Sequence, residues 1–354
     1  MTDKNLQTVN DIKIMSLLLI ILSHCMFFYD DNPFFVYKAD VTSPSVSFAV
    51  GVIDAVLIAA YVMCSGFLFA RSQERHNRSI PTVLKGRAKR LLVPYYLYGA
   101  LWLVPLYTYF DIVSFGRPEH AGYLEGYKVM ALGQFSDHLW FLWMLFDVCV
   151  VFAFMKVLIN KNRLILTGII TLAAALVVSL LLQDFPYFKV SQIAPYLICF
   201  YTGICVYKNG EKIRGLGTGA CIAISVVLFA IVCAYVYFAP EHWAYLYVLK
   251  PVGGLFVFFL FHSFVGSSFW ERFKTTGVYK YMGDTQMDFY LLHMPAPFLV
   301  FGILDPYIGK QPWLCVVVNF MIVMLITAVI VYIKRKLAEL LSDAWNRFFP
   351  AGER

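Results

Sequence analysis

Asp11-Ile12-Lys13-Ile14-Met15-Ser16-Leu17-Leu18-Leu19-Ile20-Ile21-Leu22-Ser23-His24-Cys25-Met26-Phe27-Phe28-Tyr29 decides how the rest of the chain is read. Residues 12–29 form an apolar run whose only basic side chains are Lys13 and His24. A helix needs about 20 such residues to cross the hydrocarbon core of a bilayer. Hydrocarbon offers no water to backbone groups, so a helix is the default conformation there. A cleaved signal peptide is not expected. The run is longer than a usual signal core, and Tyr29-Asp30-Asp31 follows where small residues would be needed.

Nine further runs of the same kind lie outward from it, at 46–70, 91–110, 138–159, 164–182, 193–207, 217–239, 245–265, 287–304 and 313–333. The expectation is an all-α polytopic membrane protein of about ten transmembrane helices. Composition agrees. Of 354 residues, 60% are hydrophobic and 14% charged, whereas a soluble domain carries about 25% charged residues. That excludes a disordered chain, a nucleic-acid partner and an ordinary soluble enzyme. A single integral-membrane domain is expected over 1–354, with 334–354 as a short basic cytoplasmic tail. The eight cysteines form no Cys-x-x-Cys pair and lie in apolar stretches, so they read as buried hydrophobes rather than disulfides or metal ligands. No metal site is expected. A homodimer is compatible with the sequence.

Orientation follows from the positive-inside rule. With the N-terminus in the cytoplasm, 23 of the 29 Lys and Arg residues fall on the cytoplasmic side and 6 on the other. The six are Lys38, Arg117, Lys128, Lys189, Lys250 and Lys310. Both termini are then cytoplasmic, Ser79 is cytoplasmic, and Gly122 and Pro240 are extracytoplasmic.

Ionisable side chains at bilayer depth are costly and mark candidate sites. They are His24, Asp54, Asp147, His262, Asp288 and His293, with His138 near a helix end. Lys13 and His24 stand eleven residues apart, about 20° beyond three full turns and about 16 Å along the axis. They share a face, which suits a long substrate with an anionic head and a reactive far end; coenzyme A thioesters have that form. Among the seven basic residues of 71–90, Arg87 and Arg90 share a face at i, i+3, as two guanidinium forks gripping phosphate require. A topology signal or contact with anionic lipid is an equal reading of this segment. Asp137-His138-Leu139-Trp140-Phe141-Leu142-Trp143 reads as an interfacial aromatic belt or as a sugar platform. In Asp288-Phe289-Tyr290-Leu291-Leu292-His293-Met294-Pro295-Ala296-Pro297, the prolines remove helix donors, so His293 either faces a polar cavity or sits at a simple kink.

With these residues in hand, the chain resembles acyltransferase family 3, the integral-membrane O-acyltransferases of bacterial surface polysaccharides. Lys13, ten residues and His24 resemble the family's Arg/Lys-x10-His motif. Ser65-Gly66-Phe67-Leu68 resembles its Ser-Gly-Phe-Leu end of helix two. Arg87-x-x-Arg90-Leu91-x-x-Pro94 resembles its Arg-x-x-Arg signature. His138-Leu139-Trp140-Phe141-Leu142 and Phe289-Tyr290-Leu291-Leu292-His293 resemble two later elements. Where the family often has two Phe ahead of Ser-Gly, this chain has Tyr61 and Val62. The fused extracytoplasmic domain of many members is not expected here, so the acyl group would be handed over within the membrane or to a separate partner.

The resemblance implies acyl-CoA, in the first instance acetyl-CoA, as cytoplasmic donor and a glycan or lipid-linked saccharide as acceptor. It implies His24 as the catalytic residue, with Lys13, Arg87 and Arg90 holding the donor. Arg71 is grouped with those three. Asp54 is the candidate by depth to orient the His24 ring, and His138, Trp140, Tyr290 and His293 are candidates for acceptor binding. The expected location is the bacterial cytoplasmic membrane. A transporter or flippase of lipid-linked saccharides is the main rival, since a broken helix near the midplane is also a transporter trait. Against it, the chain shows no two-fold repeat of that break. A sensor or assembly subunit with a vestigial cavity is the third reading.

Overall fold

The computed structural model describes residues 3–30, 38–112, 122–134, 138–238 and 245–348. Asp137, Arg117, Pro240 and the last residues of the basic tail lie outside the described residues. Eleven helices carry the architecture: α1 Lys4–Met26, α2 Pro44–His76, α3 Ile80–Tyr98, α4 Trp140–Phe154, α5 Leu164–Leu181, α6 Ala194–Lys208, α7 Thr218–Phe238, α8 Lys250–Phe264, α9 Gly277–Leu292, α10 Ala296–Ile308 and α11 Pro312–Phe348. Among the described residues there is no strand.

Among the described residues, every apolar stretch is largely helical. Seven helical segments of the described residues are long and apolar enough to cross a membrane. α9 and α10 together make an eighth such unit, bent by 74° at their junction. The other two stretches become α4 and α6, each 15 residues long, or about 22 Å of helix. α4 is carried on by the short helix Lys156–Asn160. α6 is framed by a 3-10 turn at Val190–Gln192 and the short helix Gly210–Arg214. These two are short of a full crossing, and their packing against neighbouring helices buries Val148, Cys149, Phe152, Cys199 and Phe200 completely.

The helix ends follow local chemistry. Asp3 caps α1 by accepting from the Asn5 amide at 3.1 Å. α2 starts with Pro44 in its first turn and stops at Asn77, whose left-handed backbone (φ 38°) turns the chain toward α3. α3 continues through a π-turn at Gly99–Leu103 into Val104–Tyr109.

α2 and α6 pack backbone against backbone. A methyl group on Gly66 would lie 2.0 Å from the Phe200 carbonyl oxygen, and one on Gly203 would lie 1.9 Å from that of Met63. Small residues permit this approach, the usual device for tight helix pairs in lipid. Gly66 of the Ser-Gly-Phe-Leu element is therefore a packing residue.

Several of the intramembrane polar groups tie helices together. His262 is fully buried, with Nδ1 3.1 Å from the Thr8 hydroxyl, joining α8 to α1. Asp288 of α9 pairs with Lys334 and, at 3.1 Å, with Arg335 of α11. Asp11 is buried and accepts from the Trp270 indole at 2.7 Å and from the Tyr279 hydroxyl. It thereby fixes α1 two residues before Lys13.

Candidate active site

One cavity of about 850 Å³ runs between α1, α2, α3, α4 and α9, and its wall contains both members of the Lys13/His24 face. Its basic end is lined by Lys13, Arg78, Arg87 and Arg90. Arg87 and Arg90 act electrostatically on Lys13, whose ammonium lies 5.8 Å from the Tyr61 ring centre. The carbonyl of Lys13 accepts from the Gln286 side chain of α9, so α1 is pinned on both sides of this residue. Tyr61 stands where the family often carries Phe, and it lines the same cavity.

Arg71 is not in the cavity wall. It lies on α2, where its charge acts on Tyr207. Arg78, the residue after the left-handed turn at Asn77, does line the cavity.

Three imidazoles gather at the other end, about 16 Å from Lys13 along α1. Ring centres are 5.1 Å apart for His24 and His293, 4.7 Å for His138 and His293, and 6.4 Å for His24 and His138. His24 and His138 line the cavity, while His293 packs behind them with no exposure. Among the described residues, no group of three or more His, Cys, Asp or Glu has the geometry to hold a metal ion.

The break between α9 and α10 builds this cluster. His293 Nδ1 lies 2.9 Å from the Tyr290 carbonyl and 3.1 Å from that of Phe289. Carbonyls only accept, so Nδ1 carries the proton and Nε2 of the neutral ring presents a lone pair. The two helices bend by 74° here, and His293 stands in a polar cluster beside the cavity rather than in its wall. The Trp102 indole donates to the Met294 carbonyl at 2.7 Å, and the Met294 sulfur lies 3.4 Å from His24 Nδ1. The Tyr290 hydroxyl donates to the His138 carbonyl, which locks the start of α4 to α9.

Asp54 also lines the cavity. Its carboxylate is paired with Lys250 of α8 at 2.9 Å. Met294 is one contact of His24 Nδ1. Trp140 lines the cavity as well, with its ring centre 5.9 Å from that of Tyr196. Asp147 is not part of the lining.

Sequence reasoning missed Arg78, Gln286, Met294 and Lys250. Arg78 lay within the basic segment 71–90 and Met294 within the stretch broken by proline, but neither stood out from its neighbours. Lys250 did, since it falls inside the apolar stretch 245–265.

Helices long and apolar enough to cross a membrane surround a cavity that is basic at one end and imidazole-rich at the other, the build of an integral-membrane protein. A family model described as acyltransferase domain, acyltransferase 3, matches residues 9–333. The chain therefore belongs to the acyltransferase 3 family and is a membrane acyltransferase. Neither a curated protein nor a solved structure matches it.

Proposed function

We propose that the protein moves an acyl group, in the first instance acetyl, from cytoplasmic acyl-CoA to a hydroxyl of a cell-surface or exported glycan. Its location in this reading is the bacterial cytoplasmic membrane. The observation that carries the proposal is the single cavity that joins the Lys13, Arg87 and Arg90 end to the His24 end. Guanidinium forks suit the phosphates of the donor, and Arg78 adds a further positive charge at the same mouth. The separation of about 16 Å matches a donor whose thioester sits on a flexible arm.

At the far end, His24 is the proposed general base. Its ring takes the proton of the sugar hydroxyl as that oxygen attacks the thioester carbonyl. The C–S bond then breaks, and the departing thiolate takes the proton back from the imidazolium. Atoms and charges balance with no further reactant. His138, Trp140 and Tyr290 are proposed to face the acceptor, with His293 supporting the cluster from behind.

The test is made in a deletion strain complemented with parent, His24→Ala and His24→Gln proteins. Mass spectrometry of the surface glycan reads acylation, and purified protein reads acyl-CoA binding. Positioned acid–base catalysis contributes about 10²–10⁴-fold, so both variants should lose that much acylation and still bind the donor. A saccharide transporter would keep partial function with Gln, because a polar contact survives. Acylation at the parent rate by His24→Gln sinks the catalytic assignment.

A further inference from the structure

Among the described residues, Lys250 is the most deeply buried Lys or Arg side chain, and the proposed reaction leaves it without a task. It is 3% exposed. Its ammonium lies 2.9 Å from the Asp54 carboxylate, 3.4 Å from the Asp54 carbonyl oxygen and 5.5 Å from the Tyr196 ring centre. Burying an ion pair is costly, and well-packed apolar residues often stabilise as well or better. Joining α8 to α2 does not require it. One turn along, Gly253 approaches the Ala55 carbonyl so closely that a methyl group would lie 2.6 Å from the oxygen. That contact already packs the two helices backbone to backbone.

The pair is lopsided in a way that helix packing does not explain. The Lys250 side chain is 3% exposed and that of Asp54 is 46% exposed. Asp54 is also one of the residues that line the cavity. The lysine is thus a buried anchor, and the carboxylate is the more exposed member of the pair. A carboxylate fixed in this way accepts hydrogen bonds and cannot donate them. The matching ligand is rich in hydroxyl donors and carries no negative charge of its own. Beside it, Trp140 presents an indole to the same cavity, braced by Tyr196. A carboxylate for the hydroxyls and an aromatic ring for the apolar face together fit a pyranose.

We propose that Asp54, held by Lys250, receives the hydroxyls of the acceptor, that Trp140 stacks on its ring, and that the acceptor residue is a neutral sugar. This rests on the reading of the cavity as a site of glycan acylation. It assigns Asp54 to the acceptor and not to the His24 ring or the donor.

Asp54→Asn and the double variant Asp54→Asn/Lys250→Met test it. The double variant removes both charges, so no buried lysine is left unpaired. Each is expressed in the deletion strain for mass spectrometry of the glycan, and each is purified for calorimetry with acetyl-CoA. Hydrogen bonds to a charged group are worth about 1.5–3 kcal/mol, so glycan acylation should fall at least about tenfold. Acetyl-CoA binding should stay within about twofold of the parent. Parent-level acylation by the double variant overturns the assignment. So does loss of acetyl-CoA binding by a monodisperse Asp54→Asn protein, which would place the carboxylate on the donor arm. A glycan that is unacylated even with the parent protein refutes the broader reading first, and the acceptor site falls with it.

Discussion

The sulfur of Met294 lies 3.4 Å from Nδ1 of His24. It arrives there because α9 stops at Leu292 and the Trp102 indole holds the Met294 carbonyl. A thioether is a weak, uncharged acceptor, so it can set the orientation of the ring without adding charge to the site. Met294→Leu keeps the bulk and removes the sulfur. Contacts of this kind are worth about 0.3–1.5 kcal/mol, so kcat should fall about 2- to 10-fold while KM for acetyl-CoA holds. Steady-state kinetics read both. An unchanged kcat would reduce Met294 to a space-filling residue.

At the basic end, the prediction turns on the shape of the charged group. If Arg87 and Arg90 grip phosphate through forked hydrogen bonds, Lys is a poor substitute despite equal charge. Arg87→Lys and Arg90→Lys should each weaken acetyl-CoA binding by roughly tenfold, about 1.4 kcal/mol. Arg71→Lys is the comparison, since Arg71 lies outside the cavity wall, and it should bind like the parent. Equal binding by all three variants would return the Arg pair to the role of topology signal.

The contact between α2 and α6 gives a stability prediction. Gly66→Ala places a methyl group 2.0 Å from the Phe200 carbonyl oxygen, and Gly203→Ala meets that of Met63 at 1.9 Å. Overpacking of this sort costs about 1–3 kcal/mol or more. Both variants should unfold at lower temperature in detergent. Gly219→Ala, which meets nothing within 4 Å, should be neutral or slightly stabilising, since Ala favours a helix over Gly by about 1 kcal/mol. A parent-like melting temperature for Gly66→Ala would contradict the close approach.

Orientation is tested by cysteine labelling. Cysteines introduced at Ser79 and Gly122 stand at opposite ends of the α3 region. The positive-inside distribution puts Gly122 outside and Ser79 inside. An impermeant thiol reagent on intact cells should label Gly122→Cys alone. Labelling of Ser79→Cys would invert the topology and put the basic mouth of the cavity on the wrong side for a cytoplasmic donor.

The ten helical stretches, the Lys13/His24 face and the break around Pro295 are all written in the sequence. Each depends on neighbours within a few turns: apolar runs long enough for lipid, a period of about 3.6 residues per turn, and prolines without a donor. Three other features are absent from any local pattern. His24, His138 and His293 meet from three distant segments, and only the packing of α1, α4 and α9 brings their rings within 4.7–6.4 Å. Asp54 pairs with Lys250, 196 residues away, where Gly253 lies against α2 one turn along α8. Arg78, the residue after the left-handed turn at Asn77, lines the cavity and Arg71 does not. Helical periodicity says which residues share a face. Which faces then touch is settled by how closely the helices can approach, and that distance is fixed by small residues such as Gly66, Gly203 and Gly253 far along the chain.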